Sequence, residues 1–311
     1  MTSSVSRRNL VAMGLAAPFM RAATAPKQLK ISLMSKFMQF LEIPAMAEET
    51  ARLGYDGIDL CVRPGGHVLP ERASQDLPKA VEIIRKNGLS VEMITSSIVD
   101  ERSPHAREVL KTASELGIHH YRWGGFSYKP GIGIPEQLDA LKPRVKALAS
   151  LNREYNMCAI YHTHSGPNLV GASIWDIWML VKDEDTSAVA INFDIGHATV
   201  EGGLGGWEHS ARLALPVSRG IAFKDFRWEK DKNGKWDAAW YRLGDGMVNF
   251  KKYLPMVKTA HFAGPVQLHF EYPLGGADQG ARQITIPQQQ VFDEIGKGLK
   301  TLRALFAEYQ L

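Results

Sequence analysis

The stretch INFDIGHATVEGG, residues 191–203, opens as an apolar run and closes in polar chemistry. Residues Ala188–Ile195 read as a strand buried on both faces, because the run is short, apolar and polar at its ends. It stops at Asp194, with Gly196 and His197 just beyond. A carboxylate there is either a helix N-cap or a group wanted at the tip of the strand. The other strands decide which.

Seven further runs have the same character: Leu29–Met34, Gly57–Val62, Ser90–Ser96, Ile118–Gly124, Met157–His164, Gly220–Phe226 and Val266–Glu271. Helical patterns alternate with them over Pro44–Leu53, Leu77–Asn87, Pro104–Leu116, Pro135–Tyr155, Ala172–Val181, Gly206–Leu213, Phe250–Thr259 and Gln290–Tyr309. The first three of these helices are each followed by a glycine stop, and Pro143 inside the fourth predicts a kink. Eight strand–helix pairs in about 285 residues predict an α/β chain folded as a (β/α)8 TIM barrel. The competing doubly wound sheet wants a glycine-rich phosphate turn after its first strand. Here that strand runs into MSKFMQF instead. One insertion, RWEKDKNGKWDAAWYRLGDG after Phe226, predicts a hairpin turning at Asp231–Gly234. It reads either as a lid or as a rigid flap over the catalytic end.

The chain of 311 residues is 45% hydrophobic and 23% charged, as in an ordinary globular protein. Residues 1–25 form a separate unit. Arg7-Arg8 is followed by a short apolar region and then by Ala22-Ala23-Thr24-Ala25. That is the layout of a twin-arginine export signal, too short to span a bilayer. It leaves residues 26–311 as a single barrel domain, with a periplasmic or secreted location and no membrane association in the mature form. The signal carries Arg7, Arg8 and Arg21 and no acid, so the net charge of +4 falls to +1 on its removal. Such a balance offers no electrostatic footprint for nucleic acid. Cys61 and Cys158 each sit in an apolar run and read as small buried hydrophobes rather than a disulfide.

Barrel enzymes react at the C-terminal tips of their strands. Seven of the ten histidines fall in the runs assigned to such tips: His67, His119, His120, His162, His164, His197 and His269. With them come Arg63, Arg122, Trp123, Asp194, Lys224 and Glu271. Period-two alternation puts His162 with His164 on one face, Asn192 with Asp194, Ala222 with Lys224, and Gln267 with His269 and Glu271. If these faces look into the mouth, imidazoles and carboxylates converge. That ligand chemistry suits a divalent zinc, manganese or iron ion.

The motifs GYDGIDL (54–60), YHTH (161–164), FDIGH (193–197), FKDF (223–226), RLGDGMVNF (242–250) and HFEYP (269–273) together resemble the xylose-isomerase-like TIM-barrel family. That family holds sugar isomerases, sugar epimerases and endonuclease IV, and the resemblance spans roughly residues 28–308. In its epimerases it implies one divalent metal held by a Glu, an Asp, a His and a Glu from strands five to eight, the two Glu residues forming the acid–base pair. Carried over, Asp194 is the strand-six ligand and His197 a substrate contact. The chain departs elsewhere: His162 stands at the strand-five Glu position, Ala222 at the strand-seven His position, and His269 or Glu271 at the last. The expected metal set is therefore His162, Asp194, His269 and Glu271. The missing strand-seven His also argues against a DNA-repair role.

The resemblance implies a metal-assisted sugar isomerase or epimerase. Glu271, His162 and Lys224 are the expected catalytic groups. His197, His164, Arg122, Trp123, Arg63 and His67 are the expected substrate contacts. A 3-keto-glycoside lyase or hydrolase and a non-catalytic sugar-binding barrel are the alternatives. The expected partner is a small sugar or glycoside. Family members often pair, so a homo-oligomer is left open.

Overall fold

The computed structural model describes residues 28–311. The expected export signal, residues 1–25, lies outside the described residues. The strands are β1 (Ile31–Met34), β2 (Gly57–Val62), β3 (Ser90–Ser96), β4 (His120–Trp123), β5 (Cys158–His162), β6 (Val189–Asp194), β7 (Ser218–Phe223), β8 (Asp225–Lys230), β9 (Trp236–Tyr241) and β10 (Val266–Leu268). All but β8 and β9 pair in parallel and close into a barrel in chain order, with β10 returning onto β1. The (β/α)8 expectation is met.

The helices α1 (Ile43–Leu53), α2 (Ala73–Lys86), α3 (Ala106–Glu115), α4 (Ile134–Glu154), α5 (Ile174–Val181), α6 (Ile195–Gly202), α7 (Gly206–Ala214), α8 (Phe250–Thr259) and α9 (Gln288–Tyr309) alternate with the strands. Gly54 ends α1 with a φ of 87°, the left-handed conformation that glycine adopts without strain. Helix α4 is one element through Pro143. Helix α6 is not predicted from the sequence, because GHATVEGG is short and glycine-rich. It follows β6 directly.

Outward side chains of the strands pack on the helices. Tyr121 donates to Asn152 of α4 at 2.9 Å, and Tyr161 packs on Trp123 and Phe126. Inward side chains include a small apolar cluster of Met93, Cys158, Ile160 and Ala190. Beside it lie Asp59, Thr95, Asn192 and Gln267, all fully buried. The charged and imidazole groups come last, at the mouth. Both cysteines are free and buried, as expected.

Strands β8 and β9 form the expected hairpin, with Gly234 at φ 78° in its turn. Its base is fixed by one side chain. The Asp225 carboxylate accepts from the backbone N–H groups of Phe226, Gly244, Gly246 and Val248, each at 2.9–3.0 Å. No helix among the described residues is long and apolar enough to cross a membrane.

Candidate active site at the barrel mouth

Asp194 ends β6 and satisfies both readings of the sequence, one oxygen for each. Its Oδ1 accepts from the His197 N–H at 3.0 Å and caps α6. Its Oδ2 points into the barrel mouth, 3.2 Å from the Lys224 ammonium, an ion-pair contact whose angle falls short of a hydrogen bond. Burial raises the carboxyl to about 6, against the pull of Lys224.

Lys224 is the centre of the site. Its side chain is only 1% exposed. The ammonium donates to His197 Nε2 at 2.7 Å and to Glu271 Oε1 at 2.5 Å, and lies 5.0 Å from the centre of the Trp240 ring. His197 then turns its Nδ1 to Ser165 Oγ at 2.8 Å. Burial works against the Glu271 charge, but Lys224, with Lys36, outweighs it and holds the carboxyl below its ordinary range.

Gly196 sits in the first turn of α6, and its φ is not positive. Its role is close approach: a methyl group there would lie 2.3 Å from Lys224 Cγ. Gly196→Ala is expected to cost about 1–3 kcal/mol through overpacking and to displace the ammonium. Thermal unfolding measures the cost. An alanine variant as stable as the parent would show that the Lys224 stem is not tightly held.

His162 and His269 approach each other with ring centres 5.1 Å apart, and His164 stacks on His197 at 4.1 Å. Burial, with Lys224 and Arg122 nearby, drives His162, His197 and His269 well below the ordinary imidazole range. His164 falls to about 3, chiefly through burial. All four are neutral rings. The atoms His162 Nε2, Asp194 Oδ2 and His269 Nε2 are buried without a hydrogen-bond partner. Ligand atoms of these three residues lie within 4.8 Å of one another. Two neutral imidazoles and one carboxylate fit a divalent zinc, manganese or iron ion better than magnesium. Of the four expected ligands, Glu271 stands apart, because its carboxylate is taken by Lys224.

A cavity of about 380 Å³ opens over these groups, lined in part by Lys36, Arg63, Arg122, His164, Trp240 and Glu271. A second lobe of about 230 Å³ shares Arg63, Arg122 and His164 with it. Three expectations need correction. His119 and His120 lie at the start of β4, the opposite end of the barrel, and His119 bonds to the Asn156 carbonyl there. His67 turns away from the cavity and meets the Leu41 carbonyl at 3.2 Å. Trp123 faces the helix layer because its neighbour Arg122 faces inward. Its indole donates to the Val99 carbonyl at 2.8 Å, and only 1% of the residue is exposed. It walls the second lobe rather than offering a stacking face.

Two lining residues escape a strand-by-strand reading. Lys36 follows β1 on a 3-10 turn, and burial lowers its ammonium to about 8 despite Glu271. Trp240 arrives from β9, its ring 4.9 Å from that of His197. The aromatic richness of the hairpin arms was the available signal.

No curated protein matches the sequence. Solved structures with the same fold include a 3-keto-D-glucoside 4-epimerase from E. coli, at 12% identity over 88% of this chain and 100% of that one, TM-score 0.63. The IolI protein with a bound zinc atom aligns at 14% identity over 90% and 99%, TM-score 0.68. A D-allulose 3-epimerase from Methylomonas sp., in complex with D-allulose, aligns at 15% over 90% and 98%, TM-score 0.62. At such identities the likeness is one of fold. The family match is a matter of sequence and covers residues 47–297. The chain belongs to the xylose isomerase-like TIM barrel family.

Proposed function

We propose that the protein is a metal-assisted sugar isomerase or epimerase that moves a proton on a carbon next to a carbonyl. The observation that carries this reading is the ionised Glu271 beside the buried Lys224 ammonium, at the edge of the His162–Asp194–His269 ligand group. Similar folds solved with zinc, and epimerases solved with bound sugar, support it.

Glu271 is the base. It is held ionised and lines the cavity, so it can accept a proton from a bound sugar. Lys224 and Arg122 place positive charge where an enediolate oxygen would develop. Arg63 and His164 face the same space and offer hydrogen bonds to hydroxyls, and Trp240 offers an aromatic surface to the ring. His162, Asp194 and His269 would hold the divalent ion, which when bound supplies Lewis acidity to a carbonyl and its neighbouring hydroxyl. Two neighbouring cavities that share Arg63, Arg122 and His164 favour one second reading, elimination from a 3-keto-glycoside, because together they offer room for two sugar rings. Export through the expected signal would place the protein among glycosides rather than sugar phosphates.

The test is a panel of aldoses, ketoses and 3-keto-glycosides in deuterated water. Deuterium uptake beside the carbonyl is expected, together with metal in protein purified without chelator. Metal-free protein that binds sugars and exchanges no proton would return the binding-barrel alternative. Asp194→Ala is expected to lose the metal and about 10²–10³-fold of the turnover, with about 1 kcal/mol lost from the α6 cap. Full metal content in that variant would reduce Asp194 to a cap.

A further inference from the structure

Beneath the mouth, a line of buried hydrogen bonds crosses the barrel from β2 to His162. Thr95 Oγ1 lies 3.0 and 2.8 Å from the two Asp59 oxygens and donates to them. Gln267 Nε2 donates to Asp59 Oδ2 at 3.1 Å. Asn192 Nδ2 donates to Gln267 Oε1 at 2.8 Å and lies 3.1 Å from His162 Nδ1. Asp59, Thr95, Asn192 and Gln267 are each 0% exposed, so a missing partner within the line is costly. The bare Cα of Gly220 leaves room for the Asn192 amide; a methyl group there would lie 2.8 Å from Asn192 Oδ1.

An amide can be turned end for end at little steric cost, so chemistry decides its direction. A carboxylate accepts only. It therefore draws the Gln267 NH₂ group toward itself and turns the Gln267 oxygen toward Asn192. That oxygen draws the Asn192 NH₂ group, which in turn presents an N–H to His162 Nδ1. A neutral imidazole that accepts at Nδ1 carries its proton on Nε2. The reversed line would set Gln267 Oε1 against the Asp59 oxygen and becomes satisfied only when Asp59 is protonated or replaced by a donor.

We propose that Asp59 is a positioning residue whose carboxylate, acting through Gln267 and Asn192, fixes His162 in the tautomer with the proton on Nε2. In that state His162 presents an N–H to the barrel mouth, with Asp194 Oδ2 3.4 Å away. Ligation of a metal through Nε2 requires the reversed line, with both amides turned and the proton moved to Nδ1. Asp59 is well placed to control this. Burial raises its carboxyl to about 7, against Thr95, Arg122 and Arg63, so its charge is held only loosely. The assignment of the tautomer stands whether or not the site turns over a sugar.

The experiment is long-range proton–nitrogen NMR on ¹⁵N-histidine-labelled, metal-free protein in mildly alkaline buffer. His162 is assigned by its loss in His162→Gln. The expected result is a protonated Nε2 and a bare Nδ1. In Asp59→Asn the side chain can offer its own N–H to Gln267, and the Nδ1 resonance is expected to shift toward the protonated position. A wild-type His162 protonated on Nδ1 would overturn the proposal, and so would an Asp59→Asn spectrum identical to wild type.

Discussion

Lys224→Met is expected to destabilise the protein by about 3–5 kcal/mol at neutral pH and to lower turnover by about 10²–10³-fold. The methionine fills much of the same space, so the loss is electrostatic. It leaves Asp194, fully buried, and Glu271, mostly buried, without their shared cation. Asp194, already raised by burial, then rises further, and Glu271 loses the cation that holds it low and rises above its unfolded value. A carboxyl so raised contributes stability that is present at low pH and lost as pH rises through its folded value. The gap between the variant and wild type should therefore close on acidification and widen above neutrality. Chemical denaturation at a series of pH values measures it. A variant as stable as wild type at neutral pH would mean that the ammonium does not neutralise these acids.

Asp59→Asn is expected to do the opposite. Asp59 has no direct ion pair among the described residues, and burial raises it from 3.8 to about 7. The sign is the same as above: wild type loses stability as pH climbs from about 4 to about 7. At about 1.4 kcal/mol for each tenfold change in proton affinity, the loss is about 4 kcal/mol. Asparagine keeps the shape and cannot ionise. The variant should match wild type below pH about 4 and exceed it by about that amount above pH about 7. A constant difference across the range, or a variant weaker at high pH, would show that Asp59 is not strained by burial.

The sequence made the barrel legible because every barrel strand is a buried run with polar ends. The convergence of His162, Asp194, Lys224 and Glu271 followed from period-two alternation on neighbouring strands. Other features lay outside that logic. His119 and His120 open the run Ile118–Gly124, so by strand direction alone they belong to the end of the barrel opposite its catalytic tips, where β4 begins. Alternation pairs residues without saying which set faces inward, so it does not place Trp123 by itself; the inward turn of Arg122 does. Lys36 and Trp240 reach the cavity from a turn and a hairpin, where no strand period applies. Asp59 is the lone acid within GIDL: an inward carboxylate in an apolar strand needs partners, and Gln267 and Thr95 supply them.

The Asp225 clamp has a consequence for how the molecule can be altered. Because one carboxylate gathers the backbone of Phe226, Gly244, Gly246 and Val248, the arm bearing Trp240 is anchored at its root, beside Lys224. Its far tip, around Asn233 and Gly234, is exposed and touches none of the reacting groups. A loop lengthened or exchanged at that tip would leave the anchored root and the charged groups around Lys224 as they are.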